Sequence, residues 1–244
     1  MDAHQAENLS RRLFHYRQTG DIEYAYQLCS EFLQNDPTAS QHLANTWLLQ
    51  ACCWTLIDTL KAAPESPLKK KRPEALALLS KLPLAQLSEA DEDKKAQASI
   101  LKWGFGDPSA LAKNEHYQEA LDGYRRFCRF FSPTGPLQAH IAFCVGKWIQ
   151  MALEADHPEV HLKSMKQALF LVCQHCRDAS ETALYYVLSM ALKLAQAKLQ
   201  GESPFQFARF LLVWDTQTFP ERFWVEHSEY RPKSREIYTQ RLCS

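Results

Sequence analysis

The chain has 244 residues, and its 28 Lys plus Arg balance 28 Asp plus Glu to a formal net charge of zero. That balance counts against a dedicated duplex-DNA binder, which needs a basic excess to displace counterions from phosphates. Only seven glycines, with Leu, Ala, Gln, Glu and Lys abundant and β-branched runs scarce, disfavour a sheet protein and favour helices.

A first helix is predicted from Asn8 to Gln18, with Leu9, Leu13 and Tyr16 on one face. Gly20 ends it and Asp21 can cap a second helix, Ile22 to Gln34, whose stripe is Ile22, Ala25, Cys29 and Phe32. Asp36-Pro37 stops that helix, because a residue before proline avoids helical angles. A third helix is predicted from Thr38 to Lys61, through Leu43, Trp47, Cys53, Trp54, Ile57 and Leu60. The segment 63–73, "APESPLKKKRP", reads as an exposed loop rich in Pro and basic residues, and it also has the composition of a nuclear localisation signal. Helices resume at Pro73 to Ser80 and Ser88 to Lys102, the second opening with Ser88 as a cap. "WGFGDP" is a predicted turn, and the next helix lies within "NEHYQEALDGYRRFCRFFSP". Three longer helices follow, at Pro136 to Glu154, Glu159 to Arg177 and Ser180 to Gln200. A shorter helix, Pro204 to Val213, precedes a less regular tail over 214–244.

Two stretches share a spacing. Tyr16, Gly20, Ile22, Ala25, Cys29, Phe32 and Pro37 follow the tetratricopeptide pattern, a helix-turn-helix unit of about 34 residues. Ile22 stands in for Tyr, Cys29 for an aromatic, Phe32 for Ala, Leu9 for Trp and Leu13 for a small residue. Tyr117, Ala120, Tyr124 and Phe127 repeat the spacing about 95 residues later, near three repeat lengths, with Pro133 one residue late. The small side chain at Ala25 lets two helices approach closely. The chain therefore resembles the tetratricopeptide-repeat family. That resemblance implies an all-α, right-handed α-solenoid of helical hairpins, about 9–11 helices over 1–244 in one body, with a concave groove. Three stretches, "LFHYRQTGDIEYAYQLCSEFLQNDP", "ACCWTLIDTLK" and "FPERFWVEHSEYRP", further resemble an uncharacterised bacterial family associated with mobile-element and phage-conflict loci. That second resemblance implies a non-enzymatic accessory role and carries no catalytic residues over.

Few patterns suggest chemistry. No Walker A, Gly-x-Ser-x-Gly or dinucleotide fingerprint is present, and no spacing marks a carboxylate pair for acid–base work. His157-x3-His161 followed by Cys173-x2-Cys176 has donor types suited to tetrahedral zinc, in the reverse of the usual order. Helical packing already explains both pairs, so the expectation is no metal and no cofactor. The eight cysteines sit mostly in apolar helical patterns and read as reduced, buried thiols. No apolar run approaches about 18 residues, and "MDAHQAENLSRRLFHY" has no apolar h-region. A cytoplasmic chain without a membrane span is expected.

The function expected from these readings is a protein-binding adaptor. Arg11, Arg12, His15 and Asn45 would line its groove and hold a peptide or helix of another protein. The competing reading is a nucleic-acid-binding accessory using Lys69, Lys70, Lys71 and Arg72 with Arg125, Arg126 and Arg129. Salt-dependent binding to single strands separates the two.

Overall fold

The computed structural model describes residues 3–87, 92–197 and 225–226, and all regular structure among them is helical, with no strand. The chain divides into two compact units: 1–109 with 129–131, and 110–128 with the residues from 132 onward. Among the described residues no helix is long and apolar enough to cross a membrane.

The first unit opens with the hairpin of α1 (Ala3–Thr19) and α2 (Ile22–Asn35). Gly20 takes φ +83°, which an L side chain resists, and Asp21 N–H closes the turn on the Tyr16 carbonyl at 2.9 Å. The Asp21 carboxylate then accepts from Tyr24 N–H at 3.2 Å and caps α2. Ala25, Tyr26, Cys29 and Phe32 form the buried stripe of α2, with Ala25 fully buried.

The predicted third helix is two. A short α3 (Ala39–His42) stops, and α4 (Thr46–Leu60) starts afresh. Asn45 causes the break: its side-chain oxygen accepts from Trp47 N–H at 3.0 Å and Leu48 N–H at 3.2 Å. A side chain that satisfies these amides offers the backbone an alternative to helix at that point. Most of α4 is buried, including Leu48, Leu49, Cys52, Cys53, Leu56, Ile57 and Leu60. Thr55 and Thr59 fit among them because their hydroxyls donate one turn back, to Ala51 and Thr55 carbonyls at 2.7 and 3.0 Å.

The expected loop 63–73 is largely ordered into helical turns. A 3₁₀ segment, Pro67–Lys71, buries Leu68 and runs into α5 (Arg72–Leu79). Ser66 caps it by accepting from Leu68 N–H at 3.2 Å. The Ser88 cap lies outside the described residues, and α6 is described over Glu92–Phe105. The helix therefore runs through Trp103 and Gly104 of the predicted turn, which begins only at Gly106 and Asp107, with φ +82° and +52°. Gly104 permits a close approach, since a Cβ there would stand 2.9 Å from Leu76 Cδ2. Around α4 the unit packs α1, α2, α5 and α6.

A short helix that the sequence reading did not anticipate, α7 (Pro108–Lys113), spans the division between the units. The second unit holds α8 (Tyr117–Cys128), α9 (Gly135–Leu153), α10 (Leu162–His175) and α11 (Glu181–Gln196). A 3₁₀ turn, Pro158–His161, replaces the predicted first turn of the helix from Glu159. Helix α9 packs against α8, α10 and α11. Its buried Gln138 ties the unit together, donating to the Pro133 carbonyl at 2.9 Å and accepting from Asp178 N–H at 2.7 Å. The predicted helix 204–213 and almost all of the tail 214–244 lie outside the described residues.

Ala25 is fully buried, so Ala25→Arg should destabilise by more than the ~1–3 kcal/mol typical of overpacking, because it also buries a charge. Asn45→Ala should cost about 1 kcal/mol through the lost cap. Thermal melts followed by circular dichroism check both. An Ala25→Arg protein that melts like wild type would refute the packing of α2.

Candidate functional site

Of the four side chains expected in a groove, Arg11, Arg12 and His15 stand on α1 and Asn45 precedes α4. Arg11 pairs with Glu7 on its own helix at 2.6 Å, and both are exposed. Arg12 donates to the Tyr24 hydroxyl at 3.4 Å, which puts it on the side of α1 facing α2. His15 is exposed, edge-on to the Tyr16 ring at 5.4 Å, and Asn45 is engaged as the α4 cap.

A different set converges across α1, α4 and α6. Phe14 meets Trp47 edge-to-face at 6.3 Å, and the Arg17 guanidinium lies 5.9 Å from the Phe14 ring. Arg17 Nε donates to Asp58 Oδ2 at 2.8 Å, and Lys61 Nζ binds the other oxygen of that carboxylate at 2.8 Å. The same ammonium sits 5.7 Å from the Trp54 ring. Trp54 Nε1 donates to Glu92 Oε2 at 3.0 Å, and Lys95 pairs with Glu92 at 3.4 Å. Aromatic rings and charges of alternating sign thus run unbroken over three helices.

Burial grades along this row. Arg17 and Asp58 are about four-fifths buried, where an ion pair is weakly screened by water, while Trp47 is 66% exposed. Sequence reading ran one continuous helix from Thr38 to Lys61 through Trp47. The restart at Thr46 instead puts it in the first turn of α4 and turns it outward. One signal was available. Arg17 lies four residues beyond Leu13, so it falls on a buried stripe and requires a partner.

The nucleic-acid candidates divide. Lys69, Lys70 and Lys71 are exposed on the 3₁₀ segment, and Lys71 pairs with Glu74 at 3.2 Å. Arg72 donates to the backbone carbonyl of Trp103. Arg125 pairs with Asp122 at 3.0 Å and Arg126 is exposed, while Tyr124 and Phe127 between them are core residues of the second unit. Arg129 is exposed and belongs to the first unit, next to Phe130 and Phe131, whose rings each lie 6.3 Å from Phe105.

The histidines and cysteines of the zinc pattern serve other ends. His157 is exposed and 3.3 Å from Glu159, and His161 stands edge-on to the buried Trp148 at 5.4 Å. Cys173 and Cys176 are buried, and among the described residues no three His, Cys, Asp or Glu side chains are grouped to hold a metal ion. Burial pushes the Cys128, Cys144 and Cys173 thiols up to about 12 and raises Cys53 and Cys176 as well. Such thiols are poor nucleophiles.

Two further features complete the survey. An open groove of about 560 Å³ is lined by Leu9, Leu28, Phe32 and Pro37 with Glu31 and Asp36; the Asp36 carboxylate is held low by two hydrogen bonds from Thr38. In the second unit Tyr186 lies flat over Gly146, where a Cβ would come within 2.5 Å of the ring. Its hydroxyl donates to Gln150 at 2.8 Å, and Lys147 approaches the ring face at 5.7 Å. Neither feature combines a nucleophile with a base.

The chain matches no protein-family model, no curated protein and no solved structure.

Burial and the nearby Lys113 hold His140 neutral below its usual range, with its Nε2 buried and edge-on to Tyr124. The unfolded chain therefore takes up this proton first as pH falls through about 6.5, and acidification costs stability until the depressed folded value is passed. Burial depresses His175 in the same direction. The melting temperature should fall between about pH 7 and pH 5, and less steeply in His140→Leu. Alkylation at about pH 8 should leave the seven described cysteines unmodified until the fold is melted, as peptide mapping would reveal.

Proposed function

We propose that the chain is a non-enzymatic, tetratricopeptide-like adaptor that binds another protein on the face shared by α1, α4 and α6. The observation that carries this reading is the row from Trp47 to Lys95, an exposed indole leading into charges already paired within the face. Paired charges cost less to cover than lone ones, because a partner that excludes water leaves none of them uncompensated. Aromatic anchors beside such pairs are the residues that dominate protein interfaces.

Helix pairing supports the repeat part of the proposal. Helix α4 packs on the preceding hairpin, α1 and α2, on its own successor α5, and on α6. Helices α2 and α5 also meet, as do α8 and α10 in the second unit. First helices beside first helices, and second beside second, is the neighbour pattern of stacked hairpins. The partner then meets Phe14, Arg17 and Trp47 in place of Arg11, Arg12 and Asn45.

A photo-reactive phenylalanine analogue at Trp47, with a second at exposed His157 as control, tests the face in extract of the native host. Irradiation should yield a discrete protein adduct from position 47 that is absent from position 157, and Lys61→Glu should abolish it. Trp47→Ala should stay within about 0.5 kcal/mol of wild-type stability, as exposed substitutions usually do. No adduct at 47, or the same adducts at both positions, would defeat the proposal.

A further inference from the structure

The C-terminal end of α6 gathers cations that have no carboxylate partner among the described residues. Arg72, at the start of α5, donates to the Trp103 carbonyl and so ties the 3₁₀ segment to the last turn of α6. Lys102 Nζ lies 5.1 Å from the centroid of the Trp103 ring, which is 38% exposed. Lys69 and Lys70, just ahead of Arg72, are exposed and make no ion pair among the described residues. Lys71 alone has a carboxylate, Glu74, which also accepts from Gln34 at 2.6 Å.

Cations near a helix C-terminus are ordinary, because the outward carbonyls attract positive charge. That accounts for Arg72 and Lys102. It does not account for two further lysines left without counter-charge, or for an indole open to solvent among them. Cations without carboxylates call for an anionic ligand, and an exposed aromatic plane calls for something flat to stack on it. A single-stranded nucleic acid supplies both, phosphates along its backbone and unpaired bases. A duplex keeps its bases stacked on one another, and an acidic peptide supplies charge without the planes.

We infer that this end of α6 binds single-stranded nucleic acid. Trp103 is the stacking platform, Lys69, Lys70 and Lys102 contact phosphates, and Arg72 is a positioning residue that holds the lysines beside the indole. This site lies at the other end of α6 from Glu92.

Fluorescence anisotropy with a short labelled oligo-dT, and with a duplex of equal length, tests it across about 50 to about 200 mM salt. The intact protein should bind the single strand more tightly than the duplex, with affinity falling steeply as salt rises. Lys69→Glu with Lys70→Glu should weaken binding and flatten the salt dependence. Trp103→Ala should weaken oligo-dT about tenfold and leave the salt slope unchanged. Trp103→Phe, which keeps a ring, should retain most of the affinity and so separates stacking from a structural role. Each variant is first checked for a wild-type melting curve, and if Trp103→Ala fails to fold, the lysine pair and Trp103→Phe decide. Absence of oligo-dT binding at about 50 mM salt, equal affinity for duplex, or a folded Trp103→Ala with wild-type affinity would overturn the assignment.

Discussion

The first unit depends on hiding most of one helix. Helix α4 is apolar on nearly every side, and a helix of that kind is stable in water only when neighbours surround it. Four helices, α1, α2, α5 and α6, supply that cover. Ala25 lets α2 come close, and Gly104 lets α6 settle on the Leu76 side chain of α5. The two threonines within α4 are tolerated because their hydroxyls return to the helix's own carbonyls, so neither buries an orphaned polar group.

The burial of α4 also fixes where charge can stand. Asp58 sits near the end of the helix, where burial is nearly total, and it persists because two cations reach it from different directions. Removing Arg17 still leaves Lys61 on the carboxylate. Removing Asp58 leaves two cations close together, one of them mostly buried, so the carboxylate is the keystone of the row. The second unit uses neutral groups for the same purpose, joining Pro133 and Asp178 through the buried amide of Gln138.

The features legible in the sequence were those written by local rules. The α1–α2 hairpin follows from Gly20, Asp21 and the Asp36-Pro37 stop, each acting on backbone within a few residues of itself. The all-helical class and the burial of Ala120, Tyr124 and Phe127 follow from period. The break at Asn45 was hidden because apolar residues continue on both sides of it, and only the capping bonds show that the helix restarts. The 3₁₀ segment was hidden for the opposite reason: its prolines and lysines look like loop, while Leu68 alone is buried and anchors it. The candidate face was the least legible. Its pairs join residues 41 and 38 positions apart, Arg17 to Asp58 and Trp54 to Glu92, and nothing in local spacing predicts which distant helix a side chain will meet.

A formal charge of zero conceals two unlike surfaces on the first unit. Along α1, α4 and the start of α6 the charges alternate and neutralise one another, so the face can be covered without an ionic counterpart. At the far end of α6, Arg72, Lys102, Lys69 and Lys70 have no carboxylate partner among the described residues. Glu92 and Trp103 stand eleven residues apart on the same helix, ~16 Å at a rise of ~1.5 Å per residue. Lys95 narrows that interval, and a Cβ at Gly104 would stand 3.6 Å from Leu60 Cδ1, the neighbour of Lys61, so the last turn of α6 packs beside the end of the mixed-charge row.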